Sequence, residues 1–181
     1  MTDKNEFHNR KTPRLKVWDY SLPYWYFVTI CTHHHFDFFG KIKDVKVQLN
    51  QLGKQAFKCW CEIPSHYQSV ELDDSVVMTN HLHGIIILND VGSRHASTKG
   101  INDLQMDGTC PAPTLGNVIG SFKSSVTKWA NENGHTKFKW QRSYYDRIIR
   151  NEQELYLIRN YINLNPFKWD LEKTISENLN I

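Results

Sequence analysis

The alternation of apolar and polar residues predicts short strands interleaved with amphipathic helices. Runs rich in β-branched and aromatic residues, which favour strands, occupy 24–31, 70–78, 81–88 and 145–149. Apolar residues recur at helical spacing in 51–63, 114–133 and 152–165, and a short charged hairpin is expected within 36–49. Pro166 directly follows the last helical pattern, so we expect that helix to end there.

The order of these elements indicates the fold class. Without the hairpin and the last helix it is βαββαβ, the split-βαβ or ferredoxin-like plan that RRM-like modules share. We therefore predict an α+β fold with an antiparallel sheet and helices on one face, plus a β-hairpin insertion and a C-terminal helix. The plan serves RNA-binding modules, metal-binding domains and nucleases, so function depends on particular residues.

The length and composition are compatible with one well-packed domain or with two very small ones, and we predict a single domain. We place it at 20–168, after a basic N-terminal arm (1–19) and before a polar C-terminal tail (169–181). Residues 89–113 are rich in small polar residues and predict a flexible loop. No apolar run approaches the roughly 18 residues of a membrane span, and no secretory signal is visible. The four cysteines do not suggest a disulfide framework, so we expect reduced thiols in a cytoplasm.

The stretch His81-Leu82-His83 is the first candidate for chemistry. Residues i and i+2 of a strand share a face, so both imidazoles project together while Leu82 points into the core. Two adjacent imidazoles form half of a metal site. The alternative, which the sequence favours equally, is that both histidines are ordinary polar residues at the solvent-exposed end of a strand. A structural zinc site that adds Cys59 and Cys61 ranks last, because the spacing of those cysteines is unsuitable.

The last helix offers groups that would complete such a site. Its two Tyr-x-x-x-Asn pairs, Tyr156/Asn160 and Tyr161/Asn165, each share a helix face. On a helical wheel Tyr161 and Asn165 flank the apolar stripe, whereas Tyr156 and Asn160 fall on the polar side. A phenol beside a divalent cation can attack a phosphodiester. The alternative is that Tyr161 is an ordinary helix residue and Asn165 a C-cap before Pro166.

Several blocks together resemble single-tyrosine HUH transposases, especially the REP-associated tyrosine transposases. His81-Leu82-His83 fits the His-hydrophobic-His motif, and the string VVMTNHLHGIIIL resembles the corresponding pair of strands. The similarity extends through YFVTICTHH, NQLGKQAFKCWCEIPSHY, IGSFKSSVTKWANE, WQRSYYDRIIRNEQEL and IRNYINLNP. Thr79-Asn80 stands where a Pro-Asn pair is common in the family, a departure that affects the turn rather than the ligands.

The resemblance implies a DNA transposase activity with a covalent phosphotyrosine intermediate. Tyr161 would be the nucleophile, and His81, His83 and Asn165 would bind Mg²⁺ or Mn²⁺, in a bacterial, nucleoid-associated protein. The partner would be single-stranded or hairpin DNA, and the resemblance leaves a homodimer and a monomer equally open. A domesticated, non-catalytic module that binds single-stranded nucleic acid on the same fold is the alternative function.

Candidate DNA contacts come from composition, in a chain of net charge +3 with 13% aromatic residues. Basic side chains hold phosphates and aromatic rings stack on unpaired bases. The candidates are Lys123, Arg142, Tyr144, Arg147 and Arg150. A surface or core role is at least as compatible with each, although Arg142 and Arg147 stand out because they lie in a basic segment.

Overall fold

The computed structural model describes residues 18–43, 46–90 and 113–179, with side chains as far as Trp169. The strands of this part of the chain are β1 (Trp25–Cys31), β2 (Gly40–Lys43), β3 (Lys46–Leu49), β4 (Val70–Val77), β5 (His81–Leu88) and β6 (Tyr145–Ile149). The helices are α1 (Gln51–Cys61), α2 (Ile63–His66), α3 (Leu115–Glu132) and α4 (Glu152–Leu179), and a short 3₁₀ turn covers His33–His35.

Four strands form one antiparallel sheet in the order β4-β5-β1-β6, and β2 pairs with β3 in a separate hairpin. With α1 between β1 and β4, and α3 between β5 and β6, the main sheet has the ferredoxin-like βαββαβ connectivity. The predicted fold class is therefore confirmed. In the central pair His83 lies opposite Thr29 and His81 opposite Cys31, so the histidines lie at the end of β1.

Helices α1 and α3 cover one face of the sheet over a large apolar core. Side chains from both helices pack there with inward residues of the strands, among them Tyr26, Leu82 and Ile86. Gly84 leaves room for the indole of Trp60, because a Cβ at that position would lie 2.3 Å from the ring. Close packing of this kind makes the face intolerant of changes in volume.

Helix α4 covers the opposite face with a smaller apolar cluster. Leu155, Ile158 and Ile162 pack there against Ile85 and Ile149. The predicted layer of helices on one face thus holds for α1 and α3, and the C-terminal helix forms a second layer. The helix begins after Asn151, whose side-chain oxygen accepts a hydrogen bond from the Glu154 N–H at 2.8 Å.

The prediction that the last helix ends at Pro166 is wrong, because α4 continues through that proline to Leu179. Proline lacks an N–H and crowds the carbonyl four residues earlier, at a cost of about 3 kcal/mol. The helix makes two ring contacts beyond the proline. The Trp169 ring lies 5.3 Å from that of His81, and the Lys168 ammonium lies 5.4 Å from the ring centre of Tyr161.

Other predicted boundaries need smaller corrections. The helix predicted over 51–63 ends at Cys61, and α2 begins after it with Pro64 in its first turn, where proline is tolerated. Part of the predicted C-terminal tail, 169–179, belongs to α4. The arm at 1–17, the loop at 91–112 and the hairpin residues 44 and 45 lie outside the described residues.

Candidate active site

Strand β5 places both histidines on the face of the sheet that α4 covers. Their side chains are only 6% and 5% exposed for His81 and His83, and the ring centres lie 4.5 Å apart. Leu82, between them, is fully buried in the core under α1 and α3. The alternation of the strand therefore separates a polar pair from an apolar neighbour, as the sequence predicts.

Hydrogen bonds determine the tautomer of His81. The Asn80 amide nitrogen donates to the His35 carbonyl at 3.0 Å, which directs the amide oxygen toward Nδ1 of His81 at 2.7 Å. An amide oxygen only accepts, so Nδ1 carries the proton and Nε2 keeps its lone pair. This is the arrangement of a histidine that binds a metal through Nε2 while its other nitrogen is held by a neighbouring group.

His83 is held in a similar way from the neighbouring strand. Its Nδ1 lies 2.8 Å from the Thr29 hydroxyl of β1, and the Phe27 ring stacks on the imidazole at 5.4 Å. An Nδ1–H that donates to Thr29 leaves Nε2 free for a ligand. Both imidazoles are thus oriented by neighbours on the sheet.

Burial keeps the two histidines neutral. Desolvation lowers the pKa of His81 to about 4, and the nearby Asn165 amide opposes part of that shift. Desolvation lowers the pKa of His83 to about 3, with a further decrease caused by His81. Neutral imidazole is the form that binds metal ions, so at neutral pH the pair is in the binding state.

Helix α4 brings Tyr161 and Asn165 to the histidines. The Tyr161 hydroxyl lies 3.4 Å from Nε2 of His83, and the phenol is 40% exposed. Asn165, one turn later, is buried, and its side-chain oxygen has no hydrogen-bond partner among the described residues. Tyr156, in the competing pair, is exposed on the outer side of the helix.

These groups fit a divalent cation. A buried amide oxygen without a partner is costly unless something binds it, and an ion between it and two Nε2 lone pairs would satisfy it. No cluster of three His, Cys, Asp or Glu side chains suited to a metal occurs in the described part of the chain. The fit therefore depends on the two imidazoles together with the amide. Cys59 and Cys61 lie on α1, which packs on the other face of the sheet.

The candidate site residues line a cleft of about 410 Å³ at this end of the sheet. Its lining combines the candidate ligands with aromatic, basic and hydroxyl groups, namely Thr29, Cys31, His35, His81, His83, Tyr145, Tyr161, Asn165, Lys168 and Trp169. Sequence reasoning missed Thr29, Lys168 and Trp169. The strand register could have identified Thr29 as the partner of His83, but the other two required a helix that continues past Pro166.

Helix α4 is attached to the edge strand β4 by two polar contacts. The Arg159 guanidinium binds both carboxylate oxygens of Asp73, and the Asn163 amide donates to Asp74 at 2.9 Å. The hydrogen bonds from Arg159 are the main reason why the pKa of Asp73 is lowered. These contacts hold the helix that carries Tyr161 over the histidines of the same chain.

The predicted DNA contacts lie at several places, and their role stays a prediction. The Lys123 ammonium donates to the carbonyls of Gln141, Arg142 and Ser143 at 2.8–3.3 Å, and Tyr144 is buried. Arg147 pairs with Glu154 at 3.0 Å. The exposed side chains of Arg142 and Arg150 lie just before and just after β6. The structure therefore does not gather these residues into the cleft.

Cys31, Cys59 and Cys61 are free thiols, and Cys110 lies outside the described residues. In the part of the chain that the structure describes, no helix is long and apolar enough to cross a membrane.

Comparisons with known proteins agree with the fold. No family model matches the chain. A protein of Haemophilus influenzae, described as uncharacterized, is 36% identical over 167 residues, which are 92% of this chain and 93% of that protein. A solved structure of a REP-associated tyrosine transposase bound to a REP hairpin has a TM-score of 0.54 at 16% identity, covering 86% of this chain and 74% of the other. The chain thus has the fold of that transposase and belongs to the family of the Haemophilus influenzae protein.

Proposed function

We propose that this chain is a metal-dependent HUH endonuclease and strand transferase that cuts single-stranded DNA through Tyr161. One observation carries the proposal. The Tyr161 hydroxyl lies 3.4 Å from Nε2 of His83, in the cleft that His81 and Asn165 also line, and the buried Asn165 oxygen has no hydrogen-bond partner among the described residues. A nucleophile, two neutral imidazoles and a buried amide oxygen in one cleft match the requirements of phosphoryl transfer.

The proposed reaction keeps the number of phosphodiester bonds constant. The phenolic oxygen of Tyr161 forms a bond to the scissile phosphorus, and the ester bond to the neighbouring sugar oxygen breaks. The phenol loses its proton to solvent, and the departing oxygen takes up one proton to become a hydroxyl. One phosphodiester is thus exchanged for another, so a DNA hydroxyl can reverse the step and join a new strand to the phosphate.

His81, His83 and Asn165 would hold the cation, which polarises the scissile phosphate when bound. Mg²⁺ and Mn²⁺ are the ions proposed, and two nitrogen ligands favour Mn²⁺ over Mg²⁺ in affinity. Asn80 keeps His81 in the tautomer that exposes Nε2, and the contact with Thr29 orients the ring of His83. The contacts of Arg159 and Asn163 with Asp73 and Asp74 hold α4 over the histidines of its own chain, which supports a site assembled in cis.

Single-stranded DNA that folds into a hairpin is the substrate class that we propose. The support is the fold shared with a transposase bound to a REP hairpin. The same support suggests action on repeats or mobile-element ends in the bacterial cytoplasm, at the nucleoid. A binding module on this fold would have no use for a nucleophile beside two buried imidazoles.

The test is a cleavage assay on hairpin DNA taken from the sequences that flank the gene, with Mn²⁺ or Mg²⁺. The wild type is compared with Tyr161→Phe and with Tyr156→Phe, a matched control on the exposed side of the same helix. We expect a covalent protein–DNA adduct from the wild type and from Tyr156→Phe, and none from Tyr161→Phe.

Two results would contradict the proposal. An adduct with Tyr161→Phe would show that another group is the nucleophile. Binding of hairpin DNA without cleavage, across both metals and several hairpins, would instead favour the non-catalytic binding module.

A further inference from the structure

The continuation of α4 beyond Pro166 brings a lysine into the candidate site. Seven residues are almost two helical turns, so Lys168 lies on the same side of the helix as Tyr161. Its ammonium nitrogen is 5.4 Å from the centre of the phenol ring, and the residue lines the cleft with His81 and His83. The proposed function gives this lysine no role.

The surroundings leave the Lys168 ammonium available to a ligand. Its side chain is exposed, and no carboxylate pairs with it among the side chains that the structure describes. None of the described residues that line the cleft is acidic. Lys123 differs, because its ammonium donates to three backbone carbonyls and thereby supports the chain before β6.

The charge of the cleft is suited to an anion. The three candidate metal ligands are neutral, so a bound cation would keep its full positive charge. A phosphate that enters the cleft would therefore meet that charge and the ammonium of Lys168. A lysine acts on phosphate as a mobile point charge, so it can follow the phosphate as the geometry changes.

We propose that Lys168 is a further catalytic residue of this site. Its ammonium binds a non-bridging oxygen of the scissile phosphate and offsets the negative charge that develops as the Tyr161 oxygen bonds to phosphorus. The inference rests on the proposed function, because it concerns the same cleft and the same reaction. The contact with the Tyr161 ring keeps the ammonium beside the phenol before DNA arrives.

The experiment compares Lys168→Met and Lys168→Arg with Lys54→Met, a matched control at an exposed lysine of α1. Methionine has nearly the helix propensity of lysine, and thermal unfolding of each variant checks that the fold persists. The first readout is the rate of adduct formation on hairpin DNA with Mn²⁺. The second is the salt dependence of single-stranded oligonucleotide binding to the metal-free protein.

We expect Lys168→Met to slow adduct formation about 10²-fold, as the loss of one group that stabilises charge in the transition state does. We expect the slope of log affinity against log salt to fall by about 0.7, the value for one single-strand phosphate contact. Lys168→Arg should retain the salt slope, because its positive charge remains. Lys54→Met should match the wild type in both readouts.

An unchanged salt slope in Lys168→Met would overturn the inference, whatever the rate, because it would mean that no phosphate contact was lost. A wild-type adduct rate in Lys168→Met would also overturn it. Failure of the proposed function looks different, since the wild type itself would then form no adduct. The salt slope of the metal-free protein would still report whether Lys168 contacts phosphate.

Discussion

The two faces of the sheet use the same strands for different purposes. On the face of α1 and α3, large apolar side chains fill a continuous core. On the face of α4, a small apolar cluster gives way to buried histidines, an amide and a partly exposed phenol. Strand β5 contributes to both, with Leu82 and Ile86 on the first face and His83 and Ile85 on the second.

Alternate residues of strand β5 thus stabilise the fold on one face and line the candidate site on the other. Apolar side chains dominate the first face, where their burial stabilises the fold. The second face holds imidazoles that desolvation keeps neutral and an amide oxygen without a hydrogen-bond partner in the described structure. Such groups cost stability unless they bind something, so they are the groups on which the proposed site depends.

Substitution of Leu82 by Ala would test whether the apolar face supplies the stability of the fold. The side chain is fully buried, so we expect a loss of about 2–5 kcal/mol in the free energy of unfolding. Denaturant unfolding measures this loss. The folded variant should still bind Mn²⁺, because Leu82 points away from the histidines. A variant that folds normally but no longer binds Mn²⁺ would contradict the separation of the two faces.

Substitution of the next residue, His83→Gln, would test whether the polar face supplies the proposed metal ligands. Loss of a group that merely orients a metal ligand costs about 10–100-fold in affinity, so we expect loss of a ligand to cost more than 100-fold. Isothermal titration with Mn²⁺ measures the affinity. The free energy of unfolding without metal should change less than in Leu82→Ala. Unchanged Mn²⁺ affinity would remove His83 from the site.

The pH dependence of the free energy of unfolding would measure what the two buried histidines of the polar face cost. The pKa values of His81 and His83 are lowered to about 4 and about 3 in the folded protein, from about 6.5 in the unfolded chain. Below pH 6.5 the unfolded state therefore binds more protons, and stability falls as the pH drops toward 4. At pH 5 we expect a loss on the order of 1–2 kcal/mol for each histidine in metal-free protein.

Urea unfolding between pH 8 and pH 5 measures this loss. The double variant His81→Gln/His83→Gln provides the control, because it lacks both titrating groups and should lose less stability over the same range. An equal loss in the wild type and in the double variant would mean that other groups cause the pH dependence.

The smallest expected effect concerns the attachment of α4. Asp73→Asn replaces the carboxylate that binds Arg159 by a neutral amide, and partly exposed ion pairs contribute about 1 kcal/mol or less. We expect faster amide hydrogen exchange in α4, with exchange in α3 unchanged, because the contact holds only α4 to the sheet. Equal acceleration in both helices would indicate a global effect on the fold.

Periodicity predicted the connectivity of the sheet and the separation of His81 and His83 from Leu82. The helical wheel also selected Tyr161 and Asn165 over the exposed Tyr156, and the structure brings that pair to the histidines. These features depend on local geometry, in which a period of 2 or 3.6 residues determines the face.

Features that depend on distant contacts could not be predicted. The contact between Asp73 and Arg159 joins residues far apart in the chain, and nothing local indicates it. Pro166 is a strong local signal for the end of a helix, but α4 continues past it and brings Lys168 and Trp169 into contact with Tyr161 and His81. The orientation of Asn80 depends on the carbonyl of His35, which only the folded chain brings near.

The central claim is that Tyr161 attacks the phosphodiester, and the most direct measurement is mass spectrometry of the protein–DNA adduct. After nuclease and protease digestion, we predict that the nucleotide mass lies on the peptide that contains Tyr161, and that fragmentation assigns it to that residue. A nucleotide mass on Tyr145 or Tyr156, or on a residue outside α4, would contradict the account.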